Sequence, residues 1–590
     1  MFGKILKFDN SRIYLENLRG VADTNYIGYH VVFPEQEHKI VGEIVAIDAD
    51  TITILLIGEL VDGKFSNGVL KKPGIDTPAR IIFKSEIECI LGKQNYMEKG
   101  TLLIGNSPVY KDYIVSCDMN DFFANHFAIL GNTGSGKSCG VARIIQNVFF
   151  TGAENTPQNA HIAIFDAYGE YYNTFNDMER FNGLHAKKVT TQISEFIDGE
   201  LLRVPAYFLE EDDLAILLGA SSATQLPVLR KALELVKIFT SHDPRAEEYK
   251  NNIIASVLLD ILSSGNQASQ VRDQAMSVLT NFNTPSLNLN SILHQPGYDR
   301  TFLQCLNIDA QGKINAIQLV ISFLQGFKKV DIDKIVLTGQ PMYTLPDLYA
   351  ALEFALISEG SLTSETSFDR NNILKSRLQT IIESTQAYYF QYDGLISQED
   401  YVRQFFTVNG QPAQLVDINL SYIDDRFAKS ITKIFSKLFF KYTTTLTHRG
   451  TYPIHILLEE AHRYVQHDTD IEIIGYNIFD RITKEGRKYG TIIGFITQKP
   501  SELSKTALSQ CSNFVVFRLF YPEDLGIVKG ISSNVTDETI EQIKTLHPGM
   551  GLVFGTAFKI PLLAGFPLPN PLPVSTSLDV SNVWYQTPQQ

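Results

Sequence analysis

Short runs of β-branched and aromatic residues open the chain: Tyr29-His30-Val31-Val32-Phe33, Ile40 to Ile47 and Thr51 to Ile57, separated by Asp, Gly and Pro. Even spacing without a helical period predicts a small β-barrel or sandwich over residues 1–115, a packing or assembly module without chemistry of its own. From Phe127 the pattern changes. Phe127-Ala128-Ile129-Leu130 and His161-Ile162-Ala163-Ile164-Phe165 are apolar throughout, as strands of a parallel sheet covered on both faces are. Between 174 and 411 the period becomes helical, as in Leu226 to Val236, with polar connections such as Ser263 to Gln270. This stretch reads as a helical insertion. The α/β pattern resumes at Gln414 to Leu420, and Ile431, Ile434, Phe435, Leu438, Phe439 and Tyr442 form the core stripe of a following helix. Further strands are expected at Ile454 to Leu458, Thr491 to Thr497 and Asn513 to Phe517. Residues 561–590, rich in Pro and Ser and without a period, are either a disordered tail or an extended arm that needs another surface.

A length of 590 residues implies three or four domains at about 150 residues each. The net charge of −14 argues against a surface coated for nucleic acid, yet leaves room for a local basic channel. Five scattered cysteines lack metal-ligand spacing and fit reduced thiols in a cytoplasm. The first residues lack a signal-peptide core, and no stretch approaches the roughly 18 apolar residues of a membrane span. Neither export nor a membrane segment is expected.

The chemistry concentrates at Gly131-Asn132-Thr133-Gly134-Ser135-Gly136-Lys137-Ser138, set between an apolar strand and a helix-forming run. Such a loop turns successive N–H groups toward phosphate oxygens at a helix N-terminus. Gly131, Asn132, Thr133, Gly134, Ser135, Gly136, Lys137, Ser138 and the adjoining Cys139 are the candidate ATP-binding residues, with Lys137 reaching the β- and γ-phosphates and Ser138 holding Mg²⁺. Ile454-His455-Ile456-Leu457-Leu458-Glu459-Glu460 resembles a Walker B strand. Its first acid, Glu459, would stand in the outer shell of the metal; the second, Glu460, would activate water. Gln498 ends another apolar strand, where an amide either senses the γ-phosphate or simply closes the strand. Before that strand, Arg487, and after it in rank Arg481, would reach a neighbouring copy's γ-phosphate, or form a solvated basic helix end. Asp166 to Tyr171 either adds carboxylates to the same sheet edge or is a plain acidic turn.

Together, the loop at Gly131–Ser138, the Asp-x-x-Gly-Glu-Tyr box at Asp166–Tyr171, Leu457-Leu458-Glu459-Glu460-Ala461-His462 and Glu485-Gly486-Arg487-Lys488-Tyr489-Gly490 leading to Thr497-Gln498-Lys499-Pro500 resemble the HerA group of HerA/FtsK P-loop ATPases over nearly the whole chain. The resemblance implies an α/β fold: a RecA-like P-loop ATPase core (116–173 and 412–560), an N-terminal β-barrel (1–115), a helical insertion (174–411) and a C-terminal brace (561–590) reaching an adjacent subunit. It implies a homo-hexameric ring with ATP and Mg²⁺ between subunits, Glu460, Lys137, Gln498 and Arg487 as catalytic residues, and double-stranded DNA in the pore. A nuclease or sirtuin-like effector, in DNA end processing or antiphage defence, would dock on the barrel. Glu459, where Asp is commoner, and Lys499, where Arg is common, depart from the family pattern. Two other readings stand beside the motor: a nucleotide-controlled scaffold that activates a partner enzyme, and a secretion- or conjugation-type ATPase dependent on a separate membrane partner.

Overall fold

The computed structural model describes residues 2–18, 26–36, 38–92, 98–149, 156–178, 183–329, 341–360, 365–466, 470–531, 535–574 and 580–584. The chain divides into two compact units, one of residues 1–200, 399–467 and 477–590, the other of 201–398 and 468–476.

The first unit holds two sheets. Near the N-terminus, antiparallel strands run in the order Phe2–Asp9, Arg12–Asn17, Thr51–Val61, Lys39–Ile47, His30–Pro34, Arg80–Ile81, with Lys64–Asn67 on the Thr51–Val61 strand. No strand pairing closes this ladder among the described residues. One face nevertheless packs on itself through Ile13, Leu15, Val31, Phe33, Ile44 and Ile54. Val32, Val41, Leu60 and Phe65, on the other face, join Phe127, Ile129, Ile145 and Phe517 in one continuous core.

In register within this sheet, His30 and Glu43 pair. Burial lowers the His30 imidazole to about 4 and raises the Glu43 carboxyl from an ordinary 4.5 to about 7. Between those two carboxyl values the folded chain keeps a proton that the unfolded chain has lost, so stability falls as pH rises from 4.5 toward 7 and levels off above. The full loss is roughly 3 kcal/mol at 1.36 kcal/mol per pH unit. Glu43→Gln is therefore expected to raise the melting temperature at pH 8 and leave it unchanged at pH 4; equal melting of the two proteins at pH 8 would contradict the assignment.

The larger, 12-stranded sheet runs Glu200–Leu201, Ala186–Thr190, Leu415–Asn419, Ile162–Asp166, Ile454–Glu459, Thr491–Thr497, Phe127–Leu130, Asn513–Phe517, Met550–Gly555, Leu562–Gly565, Thr101–Asn106, Ile114–Asp118. From Ala186–Thr190 to Asn513–Phe517 neighbours are parallel; the strands from Met550 onward extend the sheet antiparallel. Their apolar continuity follows from burial on both faces.

Three placements differ from the sequence reading. Thr101–Asn106 and Ile114–Asp118 belong to the large sheet, not to the N-terminal module. Ala186–Thr190, inside the expected insertion, is a sheet strand, and its Lys187 is buried beside Glu200 at 2.8 Å and over the Phe405 ring. The first part of the expected arm is a strand on its own chain, Leu562–Gly565, while 575–579 and 585–590 lie outside the described residues.

The second unit is chiefly helical, with Leu226–Phe239, Ala246–Ser263, Ala268–Asn281 and Leu345–Gly360 among its helices. Phe239, Phe282 and Phe354 meet with ring centroids 4.7–5.5 Å apart and seal its interior. Among the described residues no helix is long and apolar enough to cross a membrane.

Candidate nucleotide site

The loop Gly131–Gly136 leaves the carboxyl end of the Phe127–Leu130 strand and enters the helix Lys137–Phe149. It is pinned on both sides: Gly131 N–H donates to the Thr497 carbonyl (3.2 Å) and Asn132 N–H to that of Arg518 (3.0 Å). Gly136 adopts φ +91°, and a Cβ there would stand 2.5 Å from the Gly549 nitrogen. Only glycine fits that position. Gly549 N–H in turn donates to the Ser135 carbonyl at 2.9 Å, so a segment far along the chain fixes the loop. The result is a rigid concavity at the start of a helix, whose partial positive end suits phosphate.

Glu460 follows the Ile454–Glu459 strand with φ +47° and ψ 45°. A non-glycine residue pays about 1–2 kcal/mol for this left-handed backbone, a strain typical of functional sites. The twist brings the carboxylate to the loop. Lys137 Nζ lies 3.2 Å from Glu460 Oε1, both side chains buried, and Gln498 Nε2 donates to the same oxygen. Thr133 Oγ1 donates to Gln498 Oε1, which ties the loop to the amide. His462 Nδ1 sits 3.3 Å from Glu460 Oε2 and 3.0 Å from Thr497 Oγ1. Burial lowers the His462 pKa, so at neutral pH it faces Glu460 uncharged. The Thr491–Thr497 strand separates the loop-bearing strand from the acid-bearing one, and that is how Gln498 comes to stand between phosphate cradle and Glu460.

Glu459 turns away. Its Oε2 accepts from Ala167 N–H at 3.0 Å, and burial, then the adjacent Asp166 carboxylate, raise its pKa well above the ordinary range. Asp166 folds the next turn around itself: Oδ1 accepts from Tyr168 and Gly169 N–H, Oδ2 from Tyr171 N–H. That turn presents Glu170, whose carboxylate lies near the Ser138 hydroxyl and has its pKa raised, chiefly by burial. Asp417, fully buried on the neighbouring strand, has its pKa pushed well up by burial. Cys139 follows on the helix, half-buried, its thiol raised by burial.

Lys137, Gln498, Glu460 and the loop Gly131–Ser138 thus converge, with Glu459 just behind. Arg487 and Arg481 do not. Both precede the Thr491–Thr497 strand, whose seven residues at about 3.3 Å each put them at the far edge of the sheet. Arg481 lies 3.8 Å from Glu485 and over the Phe440 ring, whereas Arg487 is exposed on the single turn Gly486–Lys488. The sequence reading placed Thr133 in the ATP-binding loop and His462 in a family motif without a role for either side chain, and it left Glu170 unassigned. Their sequence signal is membership of those motifs, which says nothing of the contacts each side chain makes.

A glycine-shaped phosphate cradle, a lysine at its helix start and a paired acid on a parallel strand define a P-loop ATPase with a RecA-like α/β core. The match is more specific than that class: residues 100–439 fit the family model described as helicase HerA, central domain, and the chain belongs to that family. It is 23% identical to the DNA double-strand break repair helicase HerA of Pyrococcus furiosus over 79% of this chain and 68% of the relative. To the HerA of Saccharolobus solfataricus it is 21% identical, over 83% and 72%. Among solved structures, VirB4 of Thermoanaerobacter pseudethanolicus aligns with 80% of this chain and 96% of its own at 12% identity and a TM-score of 0.43. The plasmid coupling protein TrwB in complex with a non-hydrolysable ATP analogue aligns with 83% and 93% at 12% identity and a TM-score of 0.39.

Proposed function

We propose that this protein is an ATP-driven DNA translocase of helicase type, working as a homo-hexameric ring with ATP at the seams between copies and double-stranded DNA along the centre. One observation carries the reading: Lys137, Gln498 and the loop close on Glu460 at one edge of the sheet, while Arg487 stands exposed at the other. An arginine so placed stands away from its own chain's phosphate loop but suits that of a neighbour in a head-to-tail ring. The relatives named DNA repair helicases supply the substrate class.

Lys137 neutralises Glu460 across 3.2 Å. A triphosphate in the loop draws Lys137 to its β- and γ-oxygens and leaves a Glu460 oxygen open to take a proton from attacking water. Gln498, bonded to both Thr133 and Glu460, reports whether the γ-phosphate is present. Ser138 would hold Mg²⁺, with Glu459 behind it acting through water, and the metal when bound would supply charge neutralisation at the phosphates.

A nuclease or sirtuin-like effector docking on the N-terminal sheet completes the reading, in DNA end processing or antiphage defence, and the free thiols suit a cytoplasm. The acidic net charge favours a second reading, a nucleotide-controlled scaffold that activates such an effector with little movement along DNA. Hydrolysis measured with and without duplex DNA separates them. The motor is expected to turn over several-fold faster on DNA; turnover indifferent to DNA but raised by a copurifying effector would overturn the motor in favour of the scaffold.

A further inference from the structure

The C-terminal segment is bound to the nucleotide site of its own chain at successive points. Phe566 N–H donates to the carbonyl of Gly549, the residue that clamps the loop at Ser135. Four residues on, Asn570 N–H donates to Gln146 Oε1 at 3.0 Å. Gln146, wholly buried on the helix that begins with Lys137, donates its own Nε2 to the carbonyls of Thr174 (3.0 Å) and Pro571 (3.2 Å). The amide is thus spent on holding the segment. Val574 N–H then donates to the Glu170 carbonyl at 2.9 Å. Glu170 is held from the other side by Asp166, which accepts from Gly169 and Tyr171, the residues flanking it.

Glu170 is held through its own carbonyl by Val574 and through its flanking N–H groups by Asp166, and its carboxylate lies near Ser138, the hydroxyl expected at the metal. Glu459 offers less there, because its Oε2 is taken by Ala167 and the side chain also meets Asp166. Resting on the ATPase reading above, we infer that Glu170 is a further metal-side carboxylate of the ATP site, and that the strap Asn570–Val574, anchored by Gln146, is the element that positions it. The tail then does more than close the sheet: any pull on it, from a neighbouring copy or a partner, reaches the metal side of the site through Val574 and Glu170. An acid that touches the metal from this turn also gives the Asp166–Tyr171 box a chemical task.

Mn²⁺ is the probe, its free fraction read by electron paramagnetic resonance with the full chain and ADP. Wild-type protein is expected to take up Mn²⁺ only with ADP present. Glu170→Gln is expected to weaken that uptake about tenfold, the usual scale for losing a group that supports a metal site, while metal-free ADP affinity stays at the wild-type value. Gln146→Leu, which keeps the volume and removes the anchoring amide, should shift Mn²⁺ affinity several-fold in the same direction, and Glu170→Asp should recover part of it. A misfolded variant would lose ADP affinity as well, and that split separates positioning from general damage. Wild-type Mn²⁺ affinity in Glu170→Gln overturns the metal role, and wild-type affinity in Gln146→Leu overturns the strap. Absence of ADP-dependent Mn²⁺ uptake in the unaltered protein would instead overturn the ATPase reading itself.

Discussion

Glu460→Gln is expected to lower kcat for ATP hydrolysis by about a thousandfold, within the range a positioned general base contributes, while ATP still binds. The amide has the same shape. Its oxygen still accepts from Lys137 and Gln498, so the hydrogen-bonded network around the loop survives, while the negative charge and with it the capacity to take a proton are lost. Because the buried Lys137 keeps an acceptor but not its counter-charge, melting should fall, though less than when the side chain is removed. Glu460→Ala goes further: it leaves the Lys137 ammonium buried with neither counter-charge nor acceptor, and losing one member of a buried pair costs roughly 3 kcal/mol or more. Steady-state hydrolysis, binding of a fluorescent ATP analogue and melting distinguish the two. A Gln variant that turns over within fivefold of wild type would remove Glu460 from the proton-transfer role, whatever its effect on stability.

The parts legible in the sequence are those whose signal is local. The phosphate loop, the strand ending in Glu459-Glu460 and the strand ending at Gln498 each announce themselves in under ten residues, because loop geometry and two-sided burial act over that range. What escaped depends on partners far along the chain. The role of Glu459 is decided by an N–H 292 residues away, at Ala167. The Ala186–Thr190 strand, inside the expected helical insertion, has surroundings of the same kind: Glu200 and the Phe405 ring stand around Lys187, and Asp198 beside Lys188. The tail lacks a period because its order comes from another surface, the Gln146 and Glu170 side of its own ATPase sheet. The N-terminal strands were readable, yet the assignment of Thr101–Asn106 and Ile114–Asp118 was not, since edge pairing such as that of Asn106 with Gly565 leaves no trace in hydrophobic alternation.

Arg487→Ala is expected to lower hydrolysis by a factor of about a thousand, the scale of an arginine finger that meets charge developing on the transferred phosphoryl group. The sheet geometry turns this into a stricter test than a single variant. Lys137 and Glu460 belong to one edge and Arg487 to the other, so if the site is shared between copies each variant damages a different half of it and leaves the other half sound. When Arg487→Ala and Glu460→Gln chains are co-expressed in equal amounts and assemble at random, about a quarter of the seams in a head-to-tail ring join an intact acid edge to an intact arginine. Two nearly inactive variants should therefore yield a mixed ring with a substantial fraction of wild-type turnover, and adding Arg481→Ala to the Glu460→Gln chain should leave that recovery in place if Arg487 is the acting residue. Recovery cannot arise if both groups serve one chain, because no copy in the mixture would carry both. Mixed rings as inactive as either parent, with both chains present in the same particle, would sink the shared site.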